Sequence, residues 1–425
     1  MVLGSSWTSA VSMHSSKPRW AALFALCVAS LWVVRRQWRL LLRVGCPLLP
    51  FVGLMILSTA WSVEPPVTLG RGLALAAVFV AAAALAVAIE LRIVPAAHVG
   101  AALVVAMATV ALGGLLLLAV SHNSAMHPGT GRLNGLGGDS NTVASLFALG
   151  MPLALALAFR ARQRARWIAS AAALLLGGSI VAARSRGALV AAAAGCGVAV
   201  ALCLPGRRAL RGLGAVALGT TVCAAAMTQP VGTVESPSAH APRTADIKRT
   251  GPHHAYINAE LSLRLEDDIG ASVPGEPLAD PHRSFLNSSG RVEAWVGALE
   301  QASDRPVVGY GFGTEAQVFV DRYLAFQGAY VEDAYIGLVL QLGITGLACL
   351  AFAFLVLGRR IAAGFRLARD GNGLVGAGFA GAAVGGLVLA LSQSFLVSAG
   401  NVASLTFWLA PLAAGAALRQ GSASQ

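Results

Sequence analysis

The sequence predicts an all-α polytopic membrane protein of about eleven transmembrane helices, with a range of about 10 to 12, carrying one large extracytoplasmic loop subdomain. Three observations predict it. Of the 425 residues, 56% are hydrophobic and 12% charged, with a mean hydropathy of +0.69. So little polar side chain cannot clothe a water-facing surface, and a bilayer has to supply much of the solvent. Apolar stretches recur at lengths of about 15 to 24 residues, where roughly 20 are needed to cross a hydrocarbon core of about 30 Å. Third, the two signs of charge are segregated along the chain.

Spans are expected at about 20–34, 44–61, 71–90, 96–121, 141–159, 167–183, 187–204, 212–229, 334–357, 373–391 and 402–418. The first imitates a signal peptide from Lys17 to Val34, but Arg35, Arg36, Arg39 and Arg43 follow at once, so it is expected to stay uncleaved. Further basic loops hold Arg160, Arg162, Arg164 and Arg166, then Arg207, Arg208 and Arg211, then Arg359, Arg360, Arg366 and Arg369. The positive-inside rule makes these cytoplasmic. Alternation then places Trp61 to Gly70, Ser121 to Ser140, the Arg184 to Gly187 junction and Pro230 to Asp333 outside. Of 19 acidic residues, 15 lie between Glu235 and Asp333, which marks that segment as solvated. The expected division is therefore 1–229 (about eight spans), a loop at 230–333, and 334–425 (about three spans).

The net charge of +12 is scattered over short loops instead of forming a stripe on a soluble domain, so it reports topology and not nucleic acid. Cys27, Cys46, Cys196, Cys203, Cys223 and Cys349 all lie in or at the edge of apolar spans, which argues against a disulfide framework or a zinc site.

The large loop divides in two. Val231 to Asn287, rich in Pro, Ser, His and charge, reads as coil. After Ser288 and Ser289, the positions Val292, Trp295, Val296 and Leu299 make one apolar stripe, so an amphipathic helix is expected, ending at Asp304 to Pro306. Gly309, Gly311 and Gly313 alternate with Tyr310 and Phe312, which suits a tight turn with close backbone approach. A second helix is expected from about Thr314 to Phe326.

Arg184 and Arg186 interrupt a long apolar stretch at the outer surface. They read either as snorkelling groups of a re-entry turn or as a clamp for phosphate oxygens, which a guanidinium holds in a bidentate fork. Arg291 opens the loop helix, where a cation opposes the helix dipole; either a carboxylate partner or a function accounts for it. Arg132, in the outer segment Gly129 to Gly138, is a candidate of the same kind. Glu332 and Asp333 stand where the loop re-enters the membrane, either as topology markers or as a pair in which a neighbouring charge and partial burial raise one group to serve as general base. His240, His253, His254 and His282 fit no compact ligand set, and no strand precedes Gly309 to Gly313 as a dinucleotide site requires, so neither metal nor cofactor is expected.

Several blocks together resemble the O-antigen ligase and polymerase superfamily. They are Leu57 to Pro66 with Arg71, Arg132 to Asn141, Ser185 to Leu189, Gly290 to Trp295 with Gly309 to Gly313, and Tyr335 to Gly346. They occur in the family's order over about residues 55–357. The sequence departs from the family's ligases where these place a His-Asn pair: here stand Glu332 and Asp333. The resemblance implies a metal-independent glycosyltransferase in a bacterial inner membrane. It would move a glycan from a polyprenyl diphosphate-linked donor to a hydroxyl of a glycan or lipid-glycan acceptor. Arg184, Arg186, Arg291 and Arg132 would face the diphosphate, and Glu332 or Asp333 the acceptor. Two rivals are a transporter or flippase, which calls for mid-membrane charges and interrupted helices in two matching halves, and a non-catalytic glycan-binding relative.

Overall fold

The computed structural model describes residues 16–126, 131–136, 139–204, 206–228, 291–319, 330–367, 371–398 and 400–422. Among them the helices are α1 (Ser16–Val34), α2 (Trp38–Gly45), α3 (Leu49–Leu57), α4 (Pro65–Glu90), α5 (Ala96–Val120), α6 (His122–Ala125), α7 (Ser140–Arg160), α8 (Gln163–Ala182), α9 (Arg186–Cys203), α10 (Gly206–Thr228), α11 (Arg291–Ala302), α12 (Glu315–Val318), α13 (Ala334–Leu367), α14 (Gly371–Leu389) and α15 (Val402–Ser422). Short 3-10 turns, Cys46–Leu48 and Ser58–Ala60, join α2 and α3 and end α3. The described residues hold no strand, only an isolated bridge between Met126 and Leu133.

This is an all-α polytopic membrane protein. Nine described helices are long and apolar enough to cross a membrane, the segment Trp38–Ala60 counting as one, and Phe24–Val34 and Gly373–Leu389 are shorter apolar helices. Phe24, Trp32, Leu116, Trp167, Leu174 and Leu218 are exposed around the bundle. A belt of that kind would aggregate in water, and in lipid it is the solvated surface.

Small residues set the packing, since tails of lipid are as apolar as leucine and helices gain mainly by approaching closely. At the crossing of α9 and α14, a side chain on Gly195 would run into the Gly381 carbonyl 2.7 Å away. Phe79, Trp408, Phe354 and Phe407 fill the middle with stacked and edge-on rings. A second, smaller core of Ala294, Ala298, Ala302, Val318, Phe319, Val331 and Leu340 joins the described part of the large loop to the start of α13.

Three expectations about the loop need correction or lie out of reach. α11 forms as expected, but its inward face is Ala294, Ala298 and Ala302, while Val292, Val296 and Leu299 are about half exposed. Alanines at that spacing allow the close approach that the larger side chains would prevent. The second helix ends at Val318: Phe319 is extended and buried, and the Val318 carbonyl accepts from Gln301 Nε2 at 2.5 Å, so packing against α11 draws the chain out of the helix. The coil at Val231 to Asn287 and the four histidines in the loop lie outside the described residues.

The span expected at 334–357 is longer and broken. Gly343 has φ 62 and ψ −164, which interrupts α13 nine residues after its start. The segment 306–311 is spliced into the gap. Leu340 and Gln341 carbonyls, which would have served Ile344 and Thr345, accept from Tyr310 N (3.1 Å) and Gly311 N (2.8 Å). Ile344 N and Thr345 N donate instead to the Pro306 and Val307 carbonyls, at 2.8 and 3.3 Å. These four backbone groups released by the break are thus satisfied, as buried non-helical backbone in a membrane protein requires. Two glycines permit it, for a Cβ on Gly309 (φ 65) would strike the backbone of Gln341 and one on Gly343 that of Val307.

Candidate active site

The break in α13 fixes how the large loop returns to the membrane, and the residues just ahead of α13 show the consequence. Asp333 is buried, and its Oδ1 accepts from the backbone N–H groups of Tyr335 (2.8 Å) and Ile336 (2.9 Å). It is the N-cap of α13, satisfying donors that a helix start leaves without partners. Of the two acids expected to serve as base, this one is committed to structure.

Glu332 is held differently. Its φ is 57, a left-handed conformation that costs a non-glycine residue about 1 to 2 kcal/mol. Both neighbours are pinned: Val331 N donates to Glu315 Oε1 (2.8 Å), the Val331 carbonyl accepts from Trp295 Nε1 (3.1 Å), and Asp333 is fixed by its cap. So placed, the Glu332 carboxylate forms a hydrogen-bonded ion pair with Arg291 Nη2, the two side chains being 27% and 24% exposed. Arg291 Nε is buried and has no hydrogen-bond partner among the described residues. Burial pushes the Glu332 carboxyl above the ordinary range, opposed by Arg291 and Arg132 and reinforced by Asp139. The sequence had suggested Asp333 as the neighbouring charge. The acid that acts is Asp139, because the Asp333 carboxylate faces the helix start.

The arginine hairpin reaches the same end of the bundle. Arg132 Nε donates to the Ala183 carbonyl (2.9 Å) and Nη2 to Asn141 Oδ1 (2.5 Å), and Ser185 Oγ shares that oxygen at 3.3 Å. Arg132 therefore clips the turn bearing Arg184 and Arg186 to the start of α7. Asp139 caps that helix, accepting from Asn141 N (3.1 Å) and Thr142 N (2.9 Å). Arg184, with φ 49, ends α8, and Arg186 is the first residue of α9. The next residue, Gly187, lies against Ser392, in the turn whose Ala390 carbonyl accepts from Ala334 N at 2.8 Å. Of the expected site residues, the structure brings Arg291 and Glu332 into contact, Arg132 into their electrostatic reach, and the Arg184 and Arg186 backbone to the same end.

Sequence reasoning missed a buried polar cluster beneath this turn. Glu315 is 3% exposed, and its carboxyl receives Val331 N, Gln341 Nε2 (2.9 Å) and Ser394 Oγ (3.4 Å). Burial pushes it up to about 7, against these bonds and the nearby Arg71. Arg71 Nη1 donates to the Gly313 carbonyl at 2.6 Å. The one signal in the sequence was an acid two residues after the glycine-rich segment, in a stretch expected only to be helical.

A family model described as O-antigen ligase matches residues 171–351. Over this stretch the chain is similar to the O-antigen ligase family. The match runs from α8 into α13 and takes in Arg184, Arg186, Arg291, Glu315, Glu332 and Asp333, while Arg71, Arg132 and Asp139 precede it. No curated protein matches the chain. That similarity supports a ligase- or polymerase-like transferase acting on glycans at the family level.

Proposed function

We propose that this O-antigen ligase-like protein transfers a glycan from a polyprenyl diphosphate-linked donor to an acceptor hydroxyl, at the outer face of a bacterial inner membrane. The observation that carries the reading is the Arg291–Glu332 pair, a guanidinium with an unsatisfied buried Nε beside a carboxylate held in a strained backbone turn. Strain that surroundings over-determine tends to mark working residues. The positive-inside rule supports the orientation, since the end opposite this pair carries the arginine-rich loops.

In the reaction, the bond between the donor sugar's anomeric carbon and the diphosphate oxygen breaks, and its electron pair leaves with the diphosphate. The acceptor oxygen bonds to the anomeric carbon and gives its proton to Glu332. Negative charge grows on the diphosphate as the bond opens, so preorganised guanidinium groups bind the transition state better than the ground state. Arg291 supplies this directly; Arg186 and Arg184 on the hairpin and Arg132 behind it add to the positive field. Burial favours Glu332 as a proton acceptor because a raised pKa brings it closer to the pH at which it works. The diphosphate is already a leaving group, so the step is written without a metal or a nucleotide.

A transporter would account for an interrupted helix. The gap at Gly343, however, is filled by the protein's own 306–311 segment with its backbone bonds satisfied, which leaves no ion-coordinating carbonyls there. The test is transfer activity in membranes. Arg186→Ala or Arg291→Ala should lower it by about 10³, the low end for arginines that face a phosphoryl group, with insertion intact. Unchanged transfer in both variants removes the reading.

A further inference from the structure

Glu315 is almost wholly buried, yet it bonds the backbone of the residue before Glu332, which among the described residues is the one non-glycine residue with a left-handed backbone that does not end a helix. We infer that Glu315 is a positioning residue for Glu332, acting through the Val331 amide. The inference rests on the reading of Glu332 as the base.

The geometry is closed. Glu315 Oε1 takes the Val331 N–H at 2.8 Å and Oε2 takes Gln341 Nε2 at 2.9 Å. Gln341 cannot turn its amide over, because its Oε1 receives Gly313 N at 2.7 Å. Gly313 in turn is gripped through its carbonyl by Arg71 Nη1. Gly337 opposite has no side chain, and a Cβ there would come within 2.7 Å of Glu315 Oε2, so the helix face is cut away where the carboxyl sits. Glu315 is therefore fixed by the spliced glycine segment, by the first part of α13 and by Ser394, and it passes that fixity to Val331. With the Val331 carbonyl held by Trp295 and Asp333 by its cap, the residue between has one conformation left, the left-handed one that directs its carboxylate to Arg291. Without the Val331 bond the chain at 332 relaxes to an ordinary φ, and the carboxylate swings off the guanidinium.

The experiment is a double-mutant cycle on the full-length protein in proteoliposomes, with lipid-linked glycan extracted from the host membrane as donor. Glu315→Ala should lower kcat between about tenfold and a hundredfold, the scale of a misplacement of roughly 1 Å, and leave donor KM within about twofold. Glu315→Gln combined with Gln341→Glu keeps an oxygen for Val331 N–H and puts an acceptor opposite the new amide NH2, so the pair should recover most of that loss, whereas Glu315→Gln alone sets two NH2 groups face to face and should recover only part of it. In a Glu332→Gln background Glu315→Ala should cost less than about twofold more, because a residue acting through Glu332 has nothing further to lose. A full additional loss in that background, or a raised KM at unchanged kcat, overturns the inference. A Glu332→Gln enzyme as fast as the parent overturns the function reading instead, whatever Glu315 does. Where Glu315→Ala does not fold, Glu315→Asp takes its place in the cycle: charge kept and reach lost, it should show the loss that the Glu315→Gln, Gln341→Glu pair is spared, and equal activity of the two overturns the inference.

Discussion

Both ends of the helix bundle carry arginines, and they hold them in different ways. At the end away from the site, Arg35 and Arg39 lie over the rings of Trp32 and Trp38, Arg360 reaches the Val44 carbonyl and Cys46 Sγ, and Arg419 pairs with Glu90 at 2.7 Å. These are contacts that anchor a helix end at a membrane interface. At the site end, Arg291 meets a carboxylate whose backbone is constrained on both sides. A left-handed backbone does not by itself separate the two ends, since Arg92 (φ 60) closes α4 as Arg184 (φ 49) closes α8. What separates them is Glu332, strained where no helix needs ending. An arginine's presence reports topology; an arginine facing a charge that the fold has spent conformational energy to place is the feature on which the proposed chemistry rests.

The sharpest break of this comparison is a pair of conservative changes. Arg291→Lys should cost about 10² in transfer rate or more, because an ammonium cannot reproduce the planar fork, whereas Arg360→Lys at the other end should leave the rate within about twofold. Equal losses in a transfer assay on membranes would erase the distinction. Next in size is the spliced segment. Gly309→Ala should lower stability by about 3 kcal/mol, from a left-handed alanine plus a collision with the Gln341 backbone, seen as a lower thermal midpoint in detergent. An unaltered midpoint would mean that the break in α13 is not held as described.

Adjacent acids give the third test. Asp333→Ala should cost about 1 kcal/mol of stability as a lost cap and change transfer only a few-fold, in contrast to Glu332→Gln. If Asp333→Ala is the inactive one of the two, their roles have been exchanged. The smallest effect sharpens the comparison most cleanly: Arg92→Gly and Arg184→Gly should each be neutral or stabilise by up to about 1 kcal/mol, glycine being the preferred residue at a left-handed helix stop. Only Arg184→Gly should reduce transfer, by weakening the positive field at the site.

The spans were legible in the sequence because the bilayer imposes a length and a polarity that few other folds share: the span expected at 96–121 is found at Ala96–Val120, and that expected at 71–90 ends at Glu90 as expected but starts six residues earlier, at Pro65. Arg291 stood out because a cation opposes the dipole of the helix it opens, and the structure gives it the carboxylate partner that one of its two readings called for, Glu332, which stood out as one of a pair of acids. The break at Gly343 was not, since a glycine in an apolar span reads as a packing residue until the strand of chain that fills the gap is seen. Nor was the inward face of α11, where tight packing favoured three alanines over the larger apolar stripe. Glu315 was hidden for a related reason: four residues of helix and an acid look solvated, and only the convergence of Val331, Gln341 and Ser394 shows the carboxyl to be enclosed.

The central claim, that Glu332 takes the acceptor's proton beside Arg291, is tested most directly by the pH dependence of single-turnover transfer in proteoliposomes. A base works as the carboxylate, so the rate should fall as pH drops through its pKa. Burial places that fall above the ordinary glutamate value of 4.5. Glu332→Gln should lose about 10² to 10⁴ in rate and the remaining activity should show no such acid limb. A Glu332→Gln enzyme that keeps the parent's rate, or the parent's acid limb, would contradict it.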